Sequence, residues 1–407
     1  MATAFSDNEL LQMRADTPAA GAYAHFSHGS CSLPPQCVFD AQAAWLAAEA
    51  RYGTPRALAM FADDLAAVRG AVARLVGAHE HQIVFADTSS RAWALAFDAA
   101  CATGTAVDVI ATEHDWGANA MNLRQAQKQG RIVGLRVLYD GVTAAAQQIE
   151  AALATVDKTH MPLVALQAVN PVDGGLTDMS GIAAQVHDHG GLLFVDACQA
   201  AGQLPLNVQE IGCDVLVFPA RKWLRGAKGV SVLFLSDRAL ALLASPPSLD
   251  IASAAWASSG HCVPHPDSRR FESYEFHPGV RLALKAASDY AMATGVDRIA
   301  AQAMLVRQKV QHALEGLPVL AALVPAKPTA LMTYRIHAPL AAQLMERLEQ
   351  AGINASLVTT QYNLWALQAR GATVLLRLTP HYFTSDAEIA QLRAALAALP
   401  AQFRLPA

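Results

Sequence analysis

Two residues in this sequence stand where side chains of their type do chemistry. Residues 192–195 form a continuous apolar run, Leu-Leu-Phe-Val, that ends directly on Asp196. A carboxylate at the end of a buried strand is costly unless a cation or a donor meets it. An aspartate at a strand–helix junction is also a common helix cap. A second apolar run, 215–218, ends four residues before Lys222, and a glycine-containing turn then leads to a third run at 230–235. A lysine just past a strand end can simply be solvated. The pair is more telling than either member. A strand ending in Asp, about two dozen residues, then a strand leading to Lys suits one cofactor, pyridoxal 5'-phosphate (PLP). That cofactor needs an amine for its Schiff base. It also needs a carboxylate to keep its ring nitrogen protonated, so that the ring draws electrons.

The elements that must hold these side chains are legible as short apolar runs alternating with amphipathic stretches. Residues 82–86, 107–111, 132–138, 163–167, 192–195, 215–218 and 230–235 read as strands. Residues 90–101, 119–128, 144–154 and 179–188 read as helices between them. Uninterrupted apolar strands separated by helices predict an α/β fold with a mainly parallel sheet covered on both faces. Open sheets of this kind bind ligands beyond the carboxyl ends of their strands. Residues 246–269, rich in Ser, Pro, His and Gly, read as a long loop between domains or toward a partner subunit. From Glu275 the pattern changes. Helices at 278–293 and 297–314 lead to a strand at 331–336, a helix at 339–350, a strand at 373–378 and a helix at 386–398. This predicts a smaller C-terminal α+β domain. The expected division is an N-terminal segment 1–20 packing near the small domain, a large PLP-binding domain 21–275 and a small domain 276–407.

Bulk properties narrow the class. The 407 residues are 53% hydrophobic, ample for a large core, and 16% charged with a net charge of −4. No basic run or basic helix is present, which argues against a nucleic-acid partner. The six cysteines, at 31, 37, 101, 198, 213 and 262, form no CxxC pair and have no histidine at metal-ligand spacing. No bound metal is expected, and the chain reads as a reduced, cytoplasmic protein. Residues 1–20 carry Asp7, Glu9 and Asp16 without an apolar core, unlike a signal peptide. No stretch approaches the ~18 apolar residues of a membrane span.

Around the two chemical residues the sequence resembles a known family. Asp196-Ala197-Cys198-Gln199, then Gly202-Gln203-Leu204-Pro205, Gly212-Cys213-Asp214 and Arg221-Lys222-Trp223-Leu224-Arg225-Gly226, are similar to blocks of class V aminotransferases. These are fold type I PLP enzymes that include cysteine desulfurases, kynureninases and isopenicillin N epimerases. The resemblance runs from about residue 26 to 389, and it implies a seven-stranded, mainly parallel sheet flanked by helices. It also implies roles. Asp196 would pair with the pyridine nitrogen. Gln199 and Asn170 would hydrogen-bond the phenolic oxygen. Lys222 would carry the cofactor and then, as a neutral amine, move the Cα proton. Residues 85–91, Phe-Ala-Asp-Thr-Ser-Ser-Arg, supply a helix N-terminus that attracts phosphate, with Ser89 and Ser90 as ligands. The family's usual glycine is missing there. Arg221 stands where histidine is common and would clamp phosphate. Pro219 stands where a phosphate-binding serine often sits, so that contact is expected to be lost. In Glu113-His114-Asp115-Trp116-Gly117-Ala118-Asn119, Trp116 falls at the ring-stacking position. Arg377, in an apolar strand followed by Thr-Pro-His-Tyr-Phe-Thr, would bind the carboxylate of an amino-acid substrate.

The reaction is less constrained. Desulfurases attack substrate sulfur with a cysteine on a C-terminal loop. The corresponding stretch, Val358-Thr359-Thr360-Gln361-Tyr362-Asn363-Leu364-Trp365, has none, and no cysteine follows Cys262. Residues 269–275, Arg-Arg-Phe-Glu-Ser-Tyr-Glu, are similar to blocks of the epimerase-like and sulfoxide-lyase-like branches. Glu275 there replaces a threonine that in desulfurases reaches the neighbouring subunit's phosphate. Ser30-Cys31-Ser32 is similar to hercynylcysteine sulfoxide lyases. The expectation is a C–S lyase that eliminates the β-sulfur group of a cysteine-derived conjugate or sulfoxide, giving pyruvate and ammonia. Two other reactions stay open. Epimerisation needs a second acid/base on the opposite ring face, for which Tyr23, His25 and His28 are candidates. Transamination needs Lys222 alone. A non-catalytic PLP-fold sensor also stays open, although such regulators usually carry a DNA-binding extension that residues 1–20 are too short to form. Active sites of this fold are usually completed by a second subunit, so a homodimer is expected, with 246–275 as the crossing segment.

Overall fold

The computed structural model describes residues 4–139 and 146–405. Seven strands form the main sheet: β1 (Ile83–Ala86), β2 (Val107–Thr112), β3 (Gly134–Leu138), β4 (Met161–Gln167), β5 (Leu192–Asp196), β6 (Val215–Pro219) and β7 (Ser231–Leu235). Each expected strand is present, with its ends displaced by no more than two residues. Their spatial order is β1-β7-β6-β5-β4-β2-β3. Neighbours are parallel except at β7, which runs antiparallel to both β1 and β6.

The inner strands β4 to β7 are buried along their whole length because both faces of the sheet are covered there. Successive side chains point to opposite faces. Leu193, Val195, Leu216, Phe218, Val232 and Phe234 enter one core. Leu192, Phe194, Val215, Val217, Leu233 and Leu235 enter the other, together with Trp93 and Phe97 of the helix Ser89–Cys101. Each such side chain contributes about 1.5–3 kcal/mol on burial. That helix starts where expected, with Thr88 Oγ1 accepting the Arg91 N–H at 3.2 Å. Helices Gly117–Lys128 and Ala146–Leu153 also follow the sequence pattern. The first two residues of the expected helix 144–154 lie outside the described residues. The helix expected from 179 begins at Ile182, because Gly181 takes a left-handed conformation (φ 75°) in front of it.

A second, antiparallel sheet lies in the C-terminal part, in the order Ala321–Leu323, Met332–Arg335, Val374–Leu378, Ser356–Thr359. It packs with the helices Val296–Leu314, Ala341–Gln350 and Asp386–Ala397 around Tyr334, Leu344, Leu376 and Leu392. Two of its strands, 321–323 and 356–359, gave no clear sequence signal, being short and only partly buried. The helix Pro278–Thr294 precedes this sheet but buries Ala283, Leu284 and Ala287 in the core of the main one. At the N-terminus, Arg14 of the helix Asp7–Ala15 pairs with Glu388 at 2.7 Å, and Ala24–His25 lies parallel to Ile353–Asn354.

The expected long loop at 246–269 contains structure. Ala254–Ser258 and His261–Pro264 form an antiparallel hairpin across Ser259 and Gly260. It buries neither face, so it lacks the alternation that marks a strand. Trp256 at its centre is 76% exposed. Among the described residues, no helix is long and apolar enough to cross a membrane.

Candidate active site

β4, β5 and β6 are parallel and in register, so their carboxyl ends reach one edge of the sheet. Asn170, Gln199 and Lys222 each follow their strand by three residues. β1 and β2 end at the same edge and lead to Ser89 and Trp116. A cleft of about 510 Å3 forms there, lined in part by Ser89, Ser90, Trp116, Asp196, Gln199, Arg221 and Lys222. A second hollow of about 590 Å3 shares Trp116, Gln199, Arg221 and Lys222 and adds Ser30, Tyr362 and Arg377.

Asp196 is buried but held. Its Oδ2 accepts from Asn119 Nδ2 at 3.1 Å, and its Oδ1 accepts the Cys198 N–H at 2.9 Å. These donors offset the loss of hydration. Lys222 is 8% exposed, and its Nζ makes no hydrogen bond to any described residue. Its Nζ lies 5.5 Å from the Trp116 ring centre. Burial pulls its amine below the ordinary lysine value. Asp196 opposes that, and Arg221 and Arg377 add to it. Trp116 is braced by Tyr362, whose ring stacks at 5.3 Å and 9°.

Gln199 donates from Nε2 to the Gly29 carbonyl at 3.0 Å and accepts from Trp223 Nε1 at 2.8 Å. One N–H of its amide stays available. Arg221 donates to the Ser30 carbonyl. Arg377, 7% exposed, donates to Ser30 Oγ at 2.8 Å and Ser356 Oγ at 3.3 Å. Among the described residues no carboxylate pairs with it. Burial, with Arg221 nearby, pulls its guanidinium down to about 10, so it stays cationic at neutral pH. A buried cation facing a hollow without a counter-ion suits an incoming carboxylate.

Asn170 stands in the turn that follows β4. Its Oδ1 accepts the Val172 N–H at 2.8 Å, and it lines neither hollow. An Asn before Pro favours closing its own turn, and that local bond occupies the side-chain oxygen while leaving the Nδ2 donor free. Gln167, at the end of β4, lines the cleft instead and donates to Asp115 Oδ1 at 3.2 Å. Sequence reasoning missed Asp115 and Asn119 as members of the site, although both stand in the block that marked Trp116. Asp115 is fully enclosed, its Oδ2 has no partner, and burial pushes its carboxyl up to about 8.

Tyr23, His25 and His28 line neither hollow. His25 meets His28 edge-on at 4.4 Å, and His28 meets His381 at 4.9 Å. Burial holds His28 and His381 well below the ordinary histidine value. Glu275 is exposed beside a separate hollow that Arg91 and Arg281 also line. The buried carboxylate of that block is Glu272, which accepts the Phe85 N–H at 3.1 Å and pairs with Arg69 at 2.9 Å.

The family model described as Aminotransferase class-V matches residues 25–359. The chain belongs to this family. The cofactor of class V aminotransferases is PLP, and the cleft fits it by its own geometry. It combines an enclosed amine without a hydrogen bond, a carboxylate fixed by two donors, a braced indole and a helix start. The chain is similar to curated relatives in part. A cysteine desulfurase of Klebsiella pneumoniae is 28% identical over 174 residues, 43% of each chain, so less than half of that relative is spanned. A cysteine desulfurase of Dickeya dadantii is 27% identical over 283 residues, 67% of this chain and 65% of the relative. A probable cysteine desulfurase 2 of Mycobacterium leprae is 25% identical over 328 residues, 76% of each. Among solved structures, a cysteine desulfurase from Thermococcus onnurineus NA1 superposes with a TM-score of 0.84 at 20% identity, covering 98% of both chains. The cystine C–S lyase C-DES, in complex with cysteine persulfide, gives 0.78 at 19% identity, covering 94% of this chain and 99% of its own. At these identities the likeness is one of fold.

Proposed function

We propose that this class V enzyme is a C–S lyase that removes the β-sulfur group from a cysteine-derived conjugate or sulfoxide, giving pyruvate and ammonia. One observation carries the reading. Lys222 and Arg377 face the same hollow, and its other wall, residues 355–363, contains no thiol. Cys198 lies in the first cleft, but burial pushes its thiol far above the ordinary value, so it stays protonated. Neither cleft therefore offers a sulfur acceptor. The relatives named cysteine desulfurase, and the fold neighbour named cystine C–S lyase, support a sulfur amino acid as the substrate class. The placement of His25 and His28 away from both hollows disfavours epimerisation.

The division of labour follows from the side chains. PLP in the first cleft supplies an electron sink that acidifies the substrate's Cα–H. Arg377, with Ser30 beside it, holds the α-carboxylate and so fixes Cα within reach of Lys222. Lys222, its amine drawn below the ordinary lysine value by burial, takes the Cα proton. Asp196, immobilised by Asn119 and the Cys198 N–H, keeps a proton on the ring nitrogen. Trp116, braced by Tyr362, offers an aromatic face to the ring. The Cα–H and Cβ–S bonds break, the sulfur leaves with a proton as a thiol or sulfenic acid, and 2-aminoacrylate departs. Water then converts it to pyruvate and ammonia. No oxidant or protein thiol enters this balance. The functional unit in this reading is a homodimer joined through the segment 246–275.

The test is a product analysis. PLP-loaded protein is incubated with cysteine S-conjugates and S-oxides, and pyruvate, ammonia, alanine and protein-bound persulfide are measured. Pyruvate and ammonia in equal amounts, without persulfide, are expected. Alanine release with a persulfide on the protein overturns the reading in favour of desulfuration.

A further inference from the structure

We propose that Ser231 is a ligand of the cofactor's phosphate, supplying a donor that Pro219 cannot. The inference rests on the reading that the first cleft holds PLP. Ser231 opens β7, the one strand that runs against its neighbours, so it starts at the edge where β1 and β6 end. It lies opposite Ala86 on one side and Pro219 on the other. Residues directly opposed in an antiparallel pair put their side chains on the same face. Leu233 and Leu235 alternate with Ser231 and define that face, where they share a core with Trp93 and Phe97 of the helix Ser89–Cys101. Ser231 therefore sits on the helix-covered face at its cleft end. It lines the same cleft as Ser89 and Ser90.

The Ser231 residue is 1% exposed, and its Oγ has no hydrogen-bond partner among the described residues. Buried hydroxyls without partners are uncommon, and one that faces a cleft is an open donor. A phosphate dianion needs several donors. Pro219 has neither an N–H nor a hydroxyl. Thr88 Oγ1 accepts the Arg91 N–H, and its O–H is a further donor at the cleft. The helix start provides backbone N–H groups and the Ser89 and Ser90 hydroxyls, and Lys228 lines the same cleft. A helix start alone would not identify an anion site. The enclosed, unpaired Ser231 hydroxyl beside it does.

The test compares wild type with Ser231→Ala, both stripped of cofactor. Each is titrated with PLP and with pyridoxal, which lacks the phosphate, using absorbance and tryptophan fluorescence. The expected result is about a tenfold weaker PLP affinity for the variant with pyridoxal binding unchanged. The variant loses only an unpaired hydroxyl, so the melting temperature of its cofactor-free form should equal or exceed that of wild type. Equal PLP affinity in the two proteins overturns the inference while leaving the cofactor assignment intact. Wild type that binds neither ligand overturns both, and this shows in the first titration.

Discussion

Lys222 and Asp196 owe their chemistry to their surroundings. Burial draws the Lys222 amine below its ordinary value, and Asn119 and the Cys198 N–H fix Asp196 in place. Replacing Lys222 with Ala should lower turnover by about a thousandfold or more and abolish the borohydride-reducible PLP adduct, as read by absorbance and peptide mass. Replacing Arg377 with Ala should raise KM about ten- to a hundredfold with a smaller change in kcat. Asp115 carries a pH signature. It keeps its proton to about pH 8 in the folded chain, whereas an unfolded Asp releases it near ~4. Between those values the native state binds more protons, so stability falls as pH rises. Relative to Asp115→Asn at equal PLP loading, wild type should therefore lose stability between about pH 4 and about pH 8, as read from urea midpoints. Asp196 and Lys222 were legible because each follows an apolar run. Asp115 was not, because nothing in its local sequence says that Gln167 will meet it across the sheet.

The turn after β6 shows how elements aim side chains. Arg225 adopts a left-handed conformation (φ 62°) that non-glycine residues rarely take. It is held by bonds to the Leu33 carbonyl, Thr17 Oγ1 and the Tyr382 hydroxyl, so one buried guanidinium ties the lysine turn to both ends of the chain. Behind this turn, Gly202 has φ 87°, and a Cβ there would collide with the Leu224 backbone. Gly202→Ala should destabilise the protein by more than about 2 kcal/mol and displace Lys222, seen as lower thermal stability and weaker PLP retention. The seven strands of the main sheet were legible because each is a short apolar run. The hairpin at 254–264 was not, since its strands bury no face and are formed by pairing alone.

For the molecule as a whole, the segment after β7 is the anomaly. Trp256, Ile251 and Tyr274 are 76%, 71% and 65% exposed. Large apolar side chains gathered on one exposed segment mark a surface that another protein covers. The proposed homodimer supplies that cover. Light scattering should give twice the chain mass, and Trp256→Asp should shift the population toward monomer with reduced activity. A wild-type monomer of full activity would remove the dimer from the proposal.

From the sequence alone came the strands, their helical covers, the class V resemblance and the choice of Lys222, Asp196 and Arg377 as the proposed reacting set. These follow from local periodicity and from charged residues set at the ends of, or within, apolar runs. Tertiary structure alone decided which side chains complete the set. Gln167 and Asp115 met behind the cleft, and Ser231 came opposite Pro219. Those outcomes depend on strand register and on the reversed direction of β7, which pair residues far apart in the chain. No local pattern encodes such pairing, because its stabilisation arises only when the sheet closes and the two helical layers cover it.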